Sequence, residues 1–179
     1  MEKHPEIQFL PKEEIKKYQE GRLKEALEYV WNKSPYYRNI YTQKGIDINR
    51  IRTLEDLCQL PVTTKSDLQL HGNEFRCVAP EDIIDYATTS GTLGDPVTFT
   101  ETEEDLCHLA YNEQLSFQTA GCTKQDILQE MVTIDRRFMA GLAYFLGARE
   151  LGMGVVRVGN GIPELQWDTI NRIHPTVGM

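Results

Sequence analysis

The sequence predicts an α/β fold: a mainly helical lead-in over residues 1–80, followed by an α/β portion over 81–179. Three observations predict it. Apolar residues recur at helical spacing through the first third, and from Ile83 the period changes to short β-prone runs. In the second half such runs alternate with helical segments, which implies βαβ units and a largely parallel sheet. The chain has 179 residues, 40% hydrophobic and 26% charged. That balance excludes collagen-like, low-complexity and wholly disordered classes. A chain of this length buries about 70% of the surface its unfolded form exposes, enough for a real core.

Taken in order, Pro11 suits a first helical position, and Ile15, Tyr18, Leu23, Leu27, Val30 and Trp31 form a stripe at helical spacing. Ser34-Pro35 reads as an N-cap followed by the first helical residue. It opens a short helix through Tyr36, Tyr37, Ile40 and Tyr41 that Gly45 ends. Thr53-Leu54-Glu55-Asp56 and Thr64-Lys65-Ser66-Asp67 are two further helix starts with a capping residue three before an acid. Between them Leu60-Pro61-Val62-Thr63 is an extended joint. Residues 83–90 and 97–100 are then strands, separated by Gly91-Thr92-Leu93-Gly94-Asp95-Pro96. A helix is expected over 103–120, with Leu106, Leu109, Ala110, Leu115 and Phe117 as its buried side. A strand over 127–134, a small-residue-rich helix over 138–151 and a buried-type strand over 155–158 follow. A helix over 163–173 and a strand opening at 175–177 complete the chain. It stops inside that last strand, as though cut rather than finished, and the open sheet edges invite a homo-oligomer.

Composition narrows function. Nineteen Lys and Arg against twenty-seven Asp and Glu give a net charge of −8, which argues against nucleic acid as a partner. An anionic ligand is still compatible if backbone N–H groups and helix termini bind it. Cys58, Cys77, Cys107 and Cys122 show no C-x-x-C pair, so neither a disulfide framework nor a structural zinc site is expected. His4, His71, His108 and His174 have no metal-site spacing. No signal-peptide core stands near the N-terminus, and no window approaches the ~18 apolar residues that span a bilayer. A reduced, cytoplasmic protein without a membrane partner is the expectation.

The segment that carries chemistry is Thr88-Thr89-Ser90-Gly91-Thr92-Leu93-Gly94-Asp95-Pro96. Two glycines three apart permit positive φ and leave no Cβ to hold a ligand away. Successive N–H groups in such a loop converge on phosphate oxygens, with the Thr89, Ser90 and Thr92 hydroxyls as further donors. It is neither a Walker A motif nor a dinucleotide fingerprint, and its spacing alone also suits a solvated hairpin turn. Ser90 lacks the G-x-S-x-G elbow of a hydrolase nucleophile. No catalytic residue and no metal ligand is therefore assigned. Arg136-Arg137 either faces an anion or is solvated.

The loop closely resembles the Ser-Gly-Thr-Thr-Gly-x-Pro phosphate loop of adenylate-forming enzymes. Its flanks are similar to the phenylacetate–CoA ligases and their coenzyme F390 synthetase relatives. Ser34-Pro35-Tyr36-Tyr37-Arg38 resembles that branch's early aromatic segment, and Leu60-Pro61-Val62-Thr63-Thr64-Lys65-Ser66-Asp67-Leu68 its Leu-Pro-x-Thr-Thr-Lys-x-Asp-Leu joint. The run from Gly141 to Gly152 resembles the helix after the loop, and Asn171 to Val177 the step beyond it. The resemblance implies the N-terminal portion of a ligase that joins a carboxylic acid to ATP as an acyl-adenylate and passes it to a thiol. It implies ATP, Mg²⁺ and coenzyme A as cofactors, mostly bound by a part of the family's fold beyond this chain. Thr89, Ser90, Gly91, Thr92 and Gly94 would cradle phosphates, and Phe138 and Gly141 would border the acid pocket. Two positions depart from the pattern. Asp95 stands where many members have Lys, and Ile134-Asp135-Arg136-Arg137 replaces a Tyr- and Gly-rich run, which points away from an aromatic acid. A non-catalytic short paralogue and a binding or assembly module remain the alternatives.

Overall fold

A computed structural model of the chain describes residues 5–89, 91 and 95–179. They fall into two compact units. The helical unit holds residues 5–80 with 95–97, and the α/β unit holds 81–89, 91 and 98–179.

In the helical unit, α1 (Lys12–Lys33) and α2 (Pro35–Gln43) are separated by one residue. Ser34 makes that break. Its hydroxyl accepts from the Tyr37 N–H at 3.4 Å and donates to the Glu74 carbonyl at 3.1 Å, and the residue is buried. Pro11 is the residue before α1 rather than its first helical residue. Leu27, Tyr41 and Ile51 form the buried core, with Leu23, Val30, Trp31 and Tyr37 packed on it. Of the expected stripe Leu27 is buried, Ile15, Leu23, Val30 and Trp31 are half-buried, and Tyr18 is exposed. At Thr64 the capping box closes both ways: its N–H donates to the Asp67 carboxylate at 2.7 Å, and its hydroxyl accepts from the Asp67 N–H at 3.2 Å. This starts α3 (Lys65–His71).

The α/β unit opens with an antiparallel hairpin, β1 (Asp85–Thr88) and β2 (Thr98–Glu101), paired from Asp85–Glu101 to Thr88–Thr98. Thr102 and Asp105 form a second two-way cap at the start of α4 (Glu103–Thr119). Of the side expected to be buried, Ala110 and Phe117 are buried and Leu106, Leu109 and Leu115 partly so. Then come β3 (Ile127–Glu130), α5 (Met139–Leu151), β4 (Gly154–Arg157), α6 (Pro163–Ile173) and β5 (Val177–Gly178). β3 lies between β4 and β5, parallel to both.

The pleat sends neighbouring side chains of β3 to opposite faces. Leu128, fully buried, packs with Phe117 of α4, Ala148 of α5 and Met153. Gln129 points the other way, and its amide donates to the Gln166 side chain of α6 at 2.6 Å. α4 and α5 approach closely at Gly147, where an added Cβ would lie 2.3 Å from the Glu113 Cβ. β3 ends four residues earlier than the sequence pattern suggests. The N–H groups of Val158 and Gly159 both donate to the Glu130 carbonyl, each at 3.0 Å, which closes the ladder with β4. Thr133 and Asp135 then bond side chain to side chain in a turn. Met131 keeps one bond to the β5 side, its N–H donating to the Met179 carbonyl at 2.8 Å, and Val132, Thr133 and Ile134 then line a cleft. Among the described residues no helix is long and apolar enough to cross a membrane.

Candidate functional site

The chain leaves β3 for β4 on one side, then crosses to β5 on the other, so the connections diverge beyond the carboxyl ends of the strands. Open α/β sheets bind ligands in that crevice. Here it is a cleft of about 490 Å³, walled by residues 132–136 after β3 and 157–160 at the end of β4.

Residues 135–137 tie the edge of this cleft to the end of β1. The Thr88 N–H, at the last residue of β1, donates to the Arg137 carbonyl at 3.0 Å. To reach it, Arg136 and Arg137 both adopt φ of +61°. Two successive non-glycine residues in the left-handed region cost of order 1–3 kcal/mol each, and such strain concentrates at functional sites. Beyond the anchored Thr88, Thr89 is half-buried and Gly91 has φ of +68°. That is a conformation in which its missing side chain matters.

Of the residues expected to cradle phosphates, Thr89 and Gly91 follow β1 in the chain. Ser90, Thr92 and Gly94 lie outside the described residues. Asp95 is exposed in the helical unit, where its carbonyl accepts from the Gln69 amide. Phe138 is the residue before α5, 44% exposed, with its N–H on the Asp135 carbonyl at 3.2 Å. Gly141 is buried against the turn, and a Cβ there would sit 1.9 Å from the Thr133 carbonyl oxygen. Neither of these two is among the residues that wall the cleft.

Sequence reasoning passed over Glu130 and Arg157, which pair across the β3–β4 ladder at the strand ends. Glu130 is fully buried, and both its carboxylate oxygens lack a hydrogen-bond partner among the described residues. Burial pushes its carboxyl up to about 7, against the pull of the Arg157 charge. The one signal in the sequence was an acid closing the buried run Ile127-Leu128-Gln129-Glu130. Glu101 of β2 is also buried, and desolvation together with Asp85 and Asp105 raises its pKa.

No family model matches the chain. Over 97% of its length it is 34% identical to a phenylacetate-coenzyme A ligase of Thermus thermophilus, and over 93% it is 29% identical to one of Escherichia coli. It spans only 39% and 38% of those relatives. A crystal structure of 2-hydroxyisobutyryl-CoA ligase, in complex with 2-HIB-AMP and CoA, superposes with a TM-score of 0.86 at 24% identity. It matches 97% of this chain and 38% of that one. The fold is thus that of the N-terminal portion of the adenylate-forming ligases. Within that class, the chain belongs with the N-terminal portion of the phenylacetate–CoA ligases.

Proposed function

We propose that this chain forms the phosphate-binding N-terminal part of an ATP-dependent carboxylic acid–CoA ligase, which makes an acyl-adenylate and then a thioester. The observation that carries the reading is Gly91 at positive φ, three residues past the end of a strand that the Thr88–Arg137 bond fixes next to the cleft-lining turn. ATP, when bound, supplies the electrophilic α-phosphorus. An oxygen of the acid attacks it, the α–β phosphoanhydride bond breaks, and pyrophosphate leaves with the electron pair. The chain's own residues bind and orient. Thr89 and Gly91, with Ser90, Thr92 and Gly94, would offer hydroxyl and backbone donors to the β- and γ-phosphates, and the cleft receives the acid. Charge stabilisation and positioning are what such transfers need. Among the described residues no three His, Cys, Asp or Glu side chains gather as a metal site. Mg²⁺ bound to the polyphosphate would neutralise part of its charge.

The test has two arms. Calorimetric titration of the 179-residue chain with Mg²⁺–pyrophosphate is expected to show binding that Gly91→Val weakens about tenfold or more, since a branched Cβ disfavours positive φ and blocks phosphate approach. Fused to the remaining part of the Thermus thermophilus relative, the chain is expected to support acid-dependent exchange of pyrophosphate into ATP, whereas the chain alone shows none. Normal binding by the valine variant would reduce the loop to a hairpin turn. Turnover by the chain alone would overturn the assignment as one part of a ligase.

A further inference from the structure

The cleft carries more positive charge than an apolar acid requires. Val132, Ile134 and Val158 give it apolar walls, while Thr133, Asn160 and one acid, Asp135, stand with two cations, Arg136 and Arg157, on its polar ones. The two arginines are held in different ways.

Arg157 is the last residue of β4, and its guanidinium carbon lies 5.2 Å from the centre of the Phe145 ring of α5. Stacking on a ring limits where the guanidinium can go while its N–H donors, which lie in its own plane, stay available. Its cross-strand neighbour Glu130 makes no hydrogen bond to it. Because burial holds the Glu130 carboxyl up to about 7, it cancels only part of the arginine's charge near neutral pH. Arg136 is exposed, on the strained turn, with its Nε 3.8 Å from Asp135. Asp135 is shared with the Thr133 hydroxyl, so it is a weak competitor for an incoming anion. A planar guanidinium such as that of Arg157, whose side chain makes no hydrogen bond among the described residues, is suited to a carboxylate, which it binds through two parallel hydrogen bonds.

We propose that the cleft selects an acid bearing a second carboxylate, a dicarboxylic acid whose distal end is received by Arg157 and Arg136. The inference rests on the ligase reading, in which the cleft receives the acid and the acid's reacting carboxylate faces out of it. The apolar walls then take the methylene chain between the two ends. A cleft of this size accommodates a small-molecule ligand.

The experiment is calorimetric titration of the 179-residue chain with adipate, with hexanoate as the monocarboxylate of equal length, and with phenylacetate. Adipate is expected to bind about tenfold or more tightly than hexanoate, the equivalent of one charge-assisted contact. Arg157→Gln is expected to remove that difference, and Arg157→Lys to keep part of it. Arg136→Gln, at an exposed position, is expected to reduce it. This keeps the test decisive if the Arg157 variants fail to fold. Equal affinity for adipate and hexanoate, tighter binding of phenylacetate, or no binding of any acid would each overturn the proposal. Mg²⁺–pyrophosphate titrated in the same samples separates the two readings. Pyrophosphate binding without adipate preference overturns this inference alone. Adipate preference without pyrophosphate binding overturns the ligase reading and leaves the cleft's selectivity standing.

Discussion

Glu130 is the residue whose chemistry is set most by where the fold puts it. A carboxylate in water accepts several hydrogen bonds, and both oxygens of Glu130 have none among the described residues. Losing those bonds disfavours the charged form, and the nearby Arg157 offsets only part of the loss, so the pKa rises from 4.5 to about 7. The sign of the consequence follows from proton counting. Between pH 4.5 and about 7 the folded chain holds a proton that the unfolded chain has released. Stability therefore falls as pH rises through that window. Glu130→Gln cannot ionise and is expected to remove that slope. Relative to the native chain it should gain on the order of 1–3 kcal/mol at pH 8 and nearly nothing at pH 4.5. Urea unfolding across that pH range measures it. A variant no more stable than the native chain at pH 8 would show that Arg157 and hydration compensate the buried charge in full.

Among the elements, those that depend on neighbouring residues were legible in the sequence, and those that depend on distant partners were not. Ser34, Thr64 and Thr102 stop or start helices through bonds three residues long, so their roles can be read from local spacing. The ends of α6 follow for the same reason, from Pro163 and the break after Ile173. β3 was expected to run to residue 134 because Met131-Val132-Thr133-Ile134 looks like strand. What ends it is the pair of N–H groups from residues 158 and 159, about thirty positions away. The candidate site divides likewise. The glycine-rich loop shows in its residue types, but the Thr88–Arg137 bond and the Glu130–Arg157 pairing exist only once the strands are in register. Helix approach is another long-range effect. Gly147 looks like one small residue among several, yet its Cα faces Glu113 of α4, whose carbonyl carbon and Cβ would lie 2.9 and 2.3 Å from an added Cβ. Gly147→Ala must push α4 and α5 apart over the Leu128 core, against the alanine's better helix propensity. A net loss of about 1–3 kcal/mol is expected, since overpacking outweighs propensity at such a contact. Unfolding midpoints of the two proteins test it, and an unchanged or raised midpoint would mean the helices slide apart at no cost.

At the scale of the molecule, two features oppose each other. β4 and β5 each have one partner strand among the described residues, so both edges of the three-stranded sheet expose unpaired backbone groups. On and before α6, Ile162, Leu165, Trp167, Ile170 and Ile173 are all between 39% and 65% exposed. Unpaired edges and an apolar patch favour association with a second copy. The net charge of −8 on every copy opposes it. Which term dominates depends on salt. Near 0.01 M ionic strength the Debye length is about 30 Å, and the copies repel across most of their surface; at 1 M it is about 3 Å, and the repulsion is screened. Apolar burial and strand pairing do not weaken in the same way. The 179-residue chain is therefore expected to self-associate more strongly as salt is raised, the reverse of an association built on ion pairs. Trp167→Lys should reduce association at every salt concentration without unfolding the chain, because the ring is 65% exposed and its replacement both removes apolar area and breaks the patch. Light scattering over a concentration series at low and high salt, with circular dichroism on the variant, reads both effects. A chain that is monomeric at millimolar concentration in high salt would mean that these edges and this patch are too twisted or too divided to meet a second copy. Association that weakens with salt would place the contact on charged side chains instead of α6.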